Sequence, residues 1–235
     1  NLTPDSFSDG GSFVDPEVAL EHALSMVEAG AQIIDLGGES TRPGSDPVSE
    51  EEELARVLPV LEKLPTDQFV LSIDTTKPTV ARAALQAGAH VINDVSGGNP
   101  ELLDLAQSHR AGFVLMHAQG SPKNMQDQPE YDDVVEEIRS FFDQQKNELI
   151  ALQLPRIWID PGIGFGKLLE HNLELMRNLS SFKDQAWGIL LGSSRKSWID
   201  GLCDAPEPSD RLGGSLASAL CSLSHGTEII RAHDV

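Results

Sequence analysis

Cysteine is almost missing from this sequence: Cys203 and Cys221 are the only two. Neither belongs to a CxxC pair or lies near histidines at zinc-finger spacing, so neither a disulfide framework nor a structural zinc site is indicated. Both thiols are expected in the core. Long apolar runs are also lacking. No stretch reaches the roughly 18 to 20 residues of a membrane span, and no basic segment leads into an apolar one as in a signal peptide. A cytoplasmic location without a membrane partner is expected. Positive charge is scarce, with 17 Lys and Arg against 37 Asp and Glu and a net charge of −20. Nucleic acid and anionic membranes are therefore poor partners, because the side chains that neutralise phosphate are missing. The same scarcity makes any local gathering of cations near glycine-rich turns informative.

What is present is a regular alternation. Short β-branched runs cover 32–36, 69–74, 91–95, 113–117, 157–160, 189–191 and 228–231, and longer amphipathic stretches separate them. One such stretch places Val134, Ile138, Phe141, Phe142 and Leu149 on one helical face. Asp15 before Pro16 reads as an N-cap with a first-turn proline, and Ser49 with Glu52 as a capping box. Strand followed by helix implies a parallel sheet covered by helices, either doubly wound or closed into a barrel. If Asn1 ends one further strand the count is eight, which favours closure. The expected fold is an α/β (β/α)8 TIM barrel in one domain, 1–235, truncated at both ends so that most of strand 1 and the final helix are missing. The stretch from Ala205 to Pro208 reads as a loop, not a domain boundary.

Polar residues cluster after each strand. In a parallel barrel these strand ends converge on one mouth, where residues distant in sequence can serve one ligand. Asp74, Asp160 and Asn93 terminate apolar runs and suit the N–H-rich edge of a heterocycle, with Lys196 free to meet its carbonyl or a ring nitrogen. Any one of them could instead cap the next helix. Arg42, Arg195, Lys196, Arg231 and His233 suggest an anionic ligand such as diphosphate, although surface ion pairing is an equal reading for Arg195. Asn1 could give one oxygen to Mg²⁺, or simply stabilise the turn into Thr3-Pro4. The glycine run 161–167 matches neither GxxxxGK[ST] nor GxGxxG, and reads as a turn carrying Phe165 toward the mouth. His117, among apolar neighbours, reads as a satisfied core histidine. No nucleophile triad or HExxH motif is present.

Taken in order, NLTPDSFSDGG, DLGGESTRPG, SIDT, NDVSGG, LMH, DPG with GFGK, GSSRKS and the terminal R.HDV resemble the dihydropteroate synthase family over nearly the whole chain. The resemblance implies condensation of 7,8-dihydropterin-6-ylmethyl diphosphate with p-aminobenzoate on a pterin-binding barrel, in a homodimer that is a target of sulfonamides. It implies that Asp74, Asn93, Asp160 and Lys196 bind the pterin, with Met116 lining its slot and Arg231 stacking nearby. It assigns diphosphate and magnesium to Asn1, Arg42, Arg231 and His233. Phe7, Thr41, Arg42 and Pro43 would close over the site, and Phe165, Lys196 and Ser197 would shape the p-aminobenzoate pocket. Lys196, Arg231, Asp74 and Asp160 would carry the catalysis, by a dissociative route in which diphosphate leaves first. Ile163 and Ala118 depart mildly from the family pattern and bear on pocket shape. Two other readings stay open: a pterin-binding methyltetrahydrofolate methyltransferase, which would have no diphosphate for these cations to hold, and a catalytically silent pterin-binding paralogue.

Overall fold

The structure is a computed structural model describing residues 1–3, 15–41, 44–120, 123–184 and 186–235. Among them lie seven strands: β1 (Ile33–Gly37), β2 (Val70–Asp74), β3 (Val91–Asp94), β4 (Gly112–Met116), β5 (Ile157–Asp160), β6 (Gly188–Leu191) and β7 (Ile229–Ile230). In chain order β1 pairs with β2 and β2 with β3, and β5 pairs with β6 and β6 with β7, every pair parallel. Helices alternate with them: α1 (Pro16–Ala29), α2 (Glu50–Leu61), α3 (Pro78–Gln86), α4 (Pro100–His109), α5 (Val134–Ala151), α6 (Leu169–Arg177), α7 (Ser197–Cys203) and α8 (Leu212–Ser224). This is the β/α barrel class that the alternation predicted, with strand boundaries within two residues of expectation. An eighth strand is not among the described elements. Leu2 donates to the Gly37 carbonyl at 2.7 Å, which brings Asn1 beside the end of β1.

The chain packs as two compact units, one of Asn1–Phe113, Leu154–Arg156 and Val235, the other of Val114–Gln153 and Ile157–Asp234. In the first, Gly37 registers with Asp74 and Asp74 with Asn93, so β1 and β2 end level with the penultimate residue of β3. Side chains alternate across a strand. Ile34, Leu36, Leu71, Ile73 and Ile92 therefore share one buried face, and Asp35, Ser72, Asp74 and Asn93 share the other. The helix starts follow the sequence: the Asp15 carboxylate accepts from Glu17 N–H, and the Ser49 hydroxyl from Glu52 N–H. In the second unit, Ile138, Phe142 and Leu149 bury the expected face of α5, where Phe142 meets Phe182 edge-on. Pro208 does not continue the preceding loop but opens a 3₁₀ turn, Pro208–Arg211.

Both cysteines are exposed, contrary to expectation. Cys203 closes α7, whose buried side chains are Trp198 and Ile199. Cys221 belongs to α8, which buries Ser215, Ser218 and Ser222 and leaves Leu212, Leu216, Leu220 and Leu223 exposed by 44% to 69%. An apolar sequence at that position does not mark the face that packs on the fold.

Close packing has one testable consequence in the first unit. A Cβ on Gly38 would lie 2.9 Å from Glu53 Cγ and 3.0 Å from the Glu53 carbonyl on α2. Because backbone has to move to accept it, Gly38→Ala is expected to lower unfolding stability by roughly 1–3 kcal/mol; an unchanged urea midpoint would contradict this.

Candidate active site

In the first unit the polar strand ends are buried and mutually braced. Asp74 and Asn93 are each about 95% removed from solvent, and Asn93 Nδ2 donates to Asp35 Oδ2 at 3.1 Å. Gly37 leaves room for this cluster: a Cβ there would sit 3.3 Å from Asn1 Oδ1 and 3.3 Å from Asp74 Cβ. The Asn1 amide oxygen and Asp74 thus flank Gly37, while Asn1 as a whole is exposed. Thr41 follows, half-buried, on the segment after β1. The root of that segment is pinned by ions and hydrogen bonds. Lys77 Nζ lies 2.5 Å from Glu39 and 2.6 Å from the fully buried Glu53, and Arg56 donates to the Gly38 carbonyl at 2.7 Å. Phe7, Arg42 and Pro43 lie outside the described residues.

In the second unit the polar groups converge around Gly192. A Cβ on Gly192 would be 3.7 Å from Asp160 Oδ2, 3.9 Å from Lys196 Nζ and 3.9 Å from Arg231 Cβ. Three residues expected in one site therefore meet over a glycine that contributes no side chain. Burial pushes the Asp160 carboxyl pKa up, and Lys196, the Gly162 N–H at 2.8 Å, Lys167 and Arg231 oppose that shift. The Asp160 side chain is not a helix cap; it accepts from that loop amide.

The glycine-rich loop is built onto the end of β4. Gly162, Gly164 and Gly166 all have positive φ, between 62° and 81°. A Cβ on Gly162 would fall 1.9 Å from the His117 carbonyl, and one on Gly166 2.3 Å from that of Gln119. Gln126, Tyr131 and Asn172 tie the loop down at 2.7–3.0 Å. It presents Phe165 half-buried, with Lys196 Nζ 4.4 Å above the ring centre and bonded to the Ile163 carbonyl. Met116 is buried at the end of β4. Ser197 starts α7 and is exposed. His233 is exposed and engages Ser194 Oγ through its backbone N–H at 3.2 Å and Nδ1 at 3.1 Å. Arg195 pairs with Asp234, the ion-pair reading of that residue.

Two groups went unnoticed in the sequence. Lys167 is only 2% exposed, and its ammonium reaches the Phe165 carbonyl at 2.9 Å and His117 Nδ1 at 3.2 Å. Burial, offset by Asp160 and reinforced by Lys196, lowers its pKa to about 7. His117 is lowered to about 3 by burial and by Lys167, so it is neutral, in keeping with a core histidine packed against Phe141. Asp35 was hidden inside an apolar strand, where a charge among β-branched residues was the available signal.

The cluster of the second unit can hold an N–H-rich group against the buried Asp160 carboxylate and can take up negative charge at Lys196 and Arg231. Comparison with known proteins agrees. The family model described as "Pterin binding enzyme" matches residues 1–233. A dihydropteroate synthase of Escherichia coli is 47% identical over 100% of this chain and 84% of its own length. The Yersinia pestis dihydropteroate synthase, solved with a sulfonamide drug complex, superposes with a TM-score of 0.92 at 45% identity, covering 100% of this chain and 86% of that one. The Xanthomonas albilineans dihydropteroate synthase with 4-aminobenzoic acid gives 0.88 at 42% identity, covering 100% and 86%.

The chain belongs to the pterin-binding enzyme family and, within it, to the dihydropteroate synthases. It is accordingly an enzyme, a transferase of folate biosynthesis.

The buried lysine carries a pH signature. Its folded pKa of about 7 lies below the ordinary 10.5, so between these values the unfolded chain binds more protons and stability rises with pH. Lys167→Met removes that contribution. The rise in urea midpoint between pH 7 and 9.5 is expected to be smaller in the variant than in wild type, and equal rises would contradict the assignment.

Proposed function

We propose that the chain condenses 7,8-dihydropterin-6-ylmethyl diphosphate with p-aminobenzoate to 7,8-dihydropteroate and diphosphate by a dissociative route. The observation that carries this reading is the meeting of Asp160, Lys196 and Arg231 around Gly192. Asp160, Asp74 and Asn93 accept or match the pterin N–H edge, Lys196 donates to its carbonyl or a ring nitrogen, and Met116 lines the slot. The bond from the methylene carbon to the diphosphate oxygen breaks first, with the electron pair leaving on diphosphate. The positive charge left on the pterin is spread over its ring nitrogens and offset by the carboxylates already in place. Arg231 and His233 receive the departing anion, together with Arg42. The arylamine, held by Phe165, Lys196 and Ser197 with Phe7, Thr41 and Pro43 closing over it, then attacks the methylene, and the resulting ammonium loses its proton to water. No strong general base is needed.

The donor set also fits magnesium. Among the described residues no group of three or more His, Cys, Asp or Glu is arranged as a metal cage. Asn1 offers a single neutral oxygen, which suits an ion completed by substrate phosphates and water. Asn1 would hold it, and when bound it supplies charge neutralisation to the diphosphate.

The same reading includes one pterin-binding domain over 1–235, small-molecule substrates, a cytoplasmic location and a homodimer. No described helix is long and apolar enough to cross a membrane. The leucine stripe of α8 supports the homodimer, because Leu212, Leu216, Leu220 and Leu223 recur at helical spacing on an exposed face. Leu220→Glu is expected to shift the sedimenting species from dimer to monomer; a wild-type monomer, or a variant that stays dimeric, would remove this face from the proposal.

Diphosphate release measured with Mg²⁺, with and without p-aminobenzoate, tests the reaction itself. Wild type is expected to couple release to dihydropteroate formation, and Lys196→Ala to lose about 10²–10³-fold in kcat, the usual effect of removing one charge-stabilising donor. A folded wild type without turnover would refute the assignment.

A further inference from the structure

Lys196 follows a residue whose backbone is unusually constrained. Arg195 has φ +56°, a left-handed conformation that L-residues other than glycine adopt at a cost. Both of its backbone polar groups are taken by the start of α8. The Arg195 N–H donates to Ser215 Oγ at 2.9 Å, and the Arg195 carbonyl accepts from Arg211 Nη1 at 3.0 Å. One hydroxyl closes the loop, since Ser215 Oγ also donates to the Arg211 carbonyl at 2.7 Å. Arg211 is buried, and its other nitrogens bond the carbonyls of Ala205 and Pro206. The neighbouring residues are fixed in the same way: Ser193 Oγ meets Ser218 Oγ at 2.7 Å, and Ser194 Oγ meets His233. Gly214 lets α8 approach α7, because a Cβ there would fall 2.3 Å from Ile199 Cγ2.

These contacts give Ser215 and Ser218, two of the buried serines of α8, partners on the segment after β6. The left-handed step at Arg195 reverses the chain between Ser194, which faces His233, and Lys196, which faces Phe165 and Ile163. Resting on the site reading above, we infer that Ser215 and Arg211 are positioning residues for Lys196, clamping Arg195 in the left-handed conformation that aims the lysine at the arylamine side of the site. They act through Arg195 and touch no substrate. The strain at Arg195 is held by interactions that a short helix end alone would not require. Their displacement should therefore weaken p-aminobenzoate use more than pterin use, because the pterin, although it also meets Lys196, keeps its partners at Asp160, Asp74 and Asn93.

The test is steady-state kinetics with concentrations corrected to titrated active sites, on wild type, Ser215→Ala, Ser215→Thr, Arg211→Lys and Lys196→Ala. Ser215→Ala is expected to raise KM for p-aminobenzoate about tenfold and lower kcat about tenfold, the scale of a small misplacement of a reacting group. KM for the pterin diphosphate should stay within about threefold of wild type. Ser215→Thr, which keeps the hydroxyl, should recover most of both losses. Arg211→Lys, whose single nitrogen does not reproduce the spread of Nε, Nη1 and Nη2 over three carbonyls, should reproduce the Ser215→Ala pattern and supplies the readout if that variant does not fold. A purely structural role would change the folded fraction and leave both KM values alone. If Lys196→Ala is impaired while Ser215→Ala and Arg211→Lys keep wild-type KM and kcat, the clamp is refuted and the site reading stands. If Lys196→Ala is as active as wild type, the site reading fails and the clamp falls with it.

Discussion

A carboxylate removed from water has to be met by positive charge and N–H donors, and Asp160 imposes that condition on the second unit. Burial raises its pKa, and Lys196, the Gly162 amide, Lys167 and Arg231 work against the rise. Each needs its own support. Gly162 can approach only because its positive φ and missing side chain let the loop lie on the His117 carbonyl. Lys167 is held inside by carbonyls and by neutral His117. Lys196 is aimed by the strained backbone before it, and Arg231 emerges from β7 with its N–H on the Leu191 carbonyl at 2.9 Å. Glycine at 192 leaves open the space that these groups surround.

The first unit follows the same economy with fewer cations. Its polar rung is set by strand register, with Gly37, Asp74 and Asn93 abreast, and Asp35 one layer below supplies an acceptor for Asn93. Glu53 is a buried acid in a run of four glutamates, and Lys77 joins it to Glu39 at the root of the segment that leads to Thr41. Buried ion pairs contribute little net stability, since desolvation consumes most of their attraction. Their effect here is geometric: they fix where the segment after β1 begins.

Much of this is legible in the sequence. Strands buried on both faces write themselves as continuous apolar runs, and a polar residue ending such a run, as at Asp74, Asn93 and Asp160, stands out against it. Helix starts at Asp15 and Ser49 were legible because capping is local chemistry. What failed was non-local. Glu53 reads as one more solvated acid, and nothing within α2 says that Lys77 will come to meet it. Lys167 hides beside glycines whose φ values become known only with the loop. Helix α8 inverted the ordinary rule, since Ser215 bonds the Arg195 backbone and Ser218 the Ser193 hydroxyl while its leucines face outward, and the expectation of core cysteines went wrong with it. Arg211, after a proline-rich stretch, gave no local sign that it would collect three carbonyls.

In the proposed reaction the buried Asp160 carboxylate, not general shape, recognises the pterin. Calorimetric titration of 6-hydroxymethyl-7,8-dihydropterin into wild type and Asp160→Asn tests it most directly, because the substitution preserves size while removing the charge. The expected result is a loss of about 10²-fold or more in affinity, as a charge-assisted hydrogen-bond pair becomes a neutral and mismatched one. Binding by a folded Asp160→Asn variant within about threefold of wild type, a difference of less than 1 kcal/mol, would contradict it.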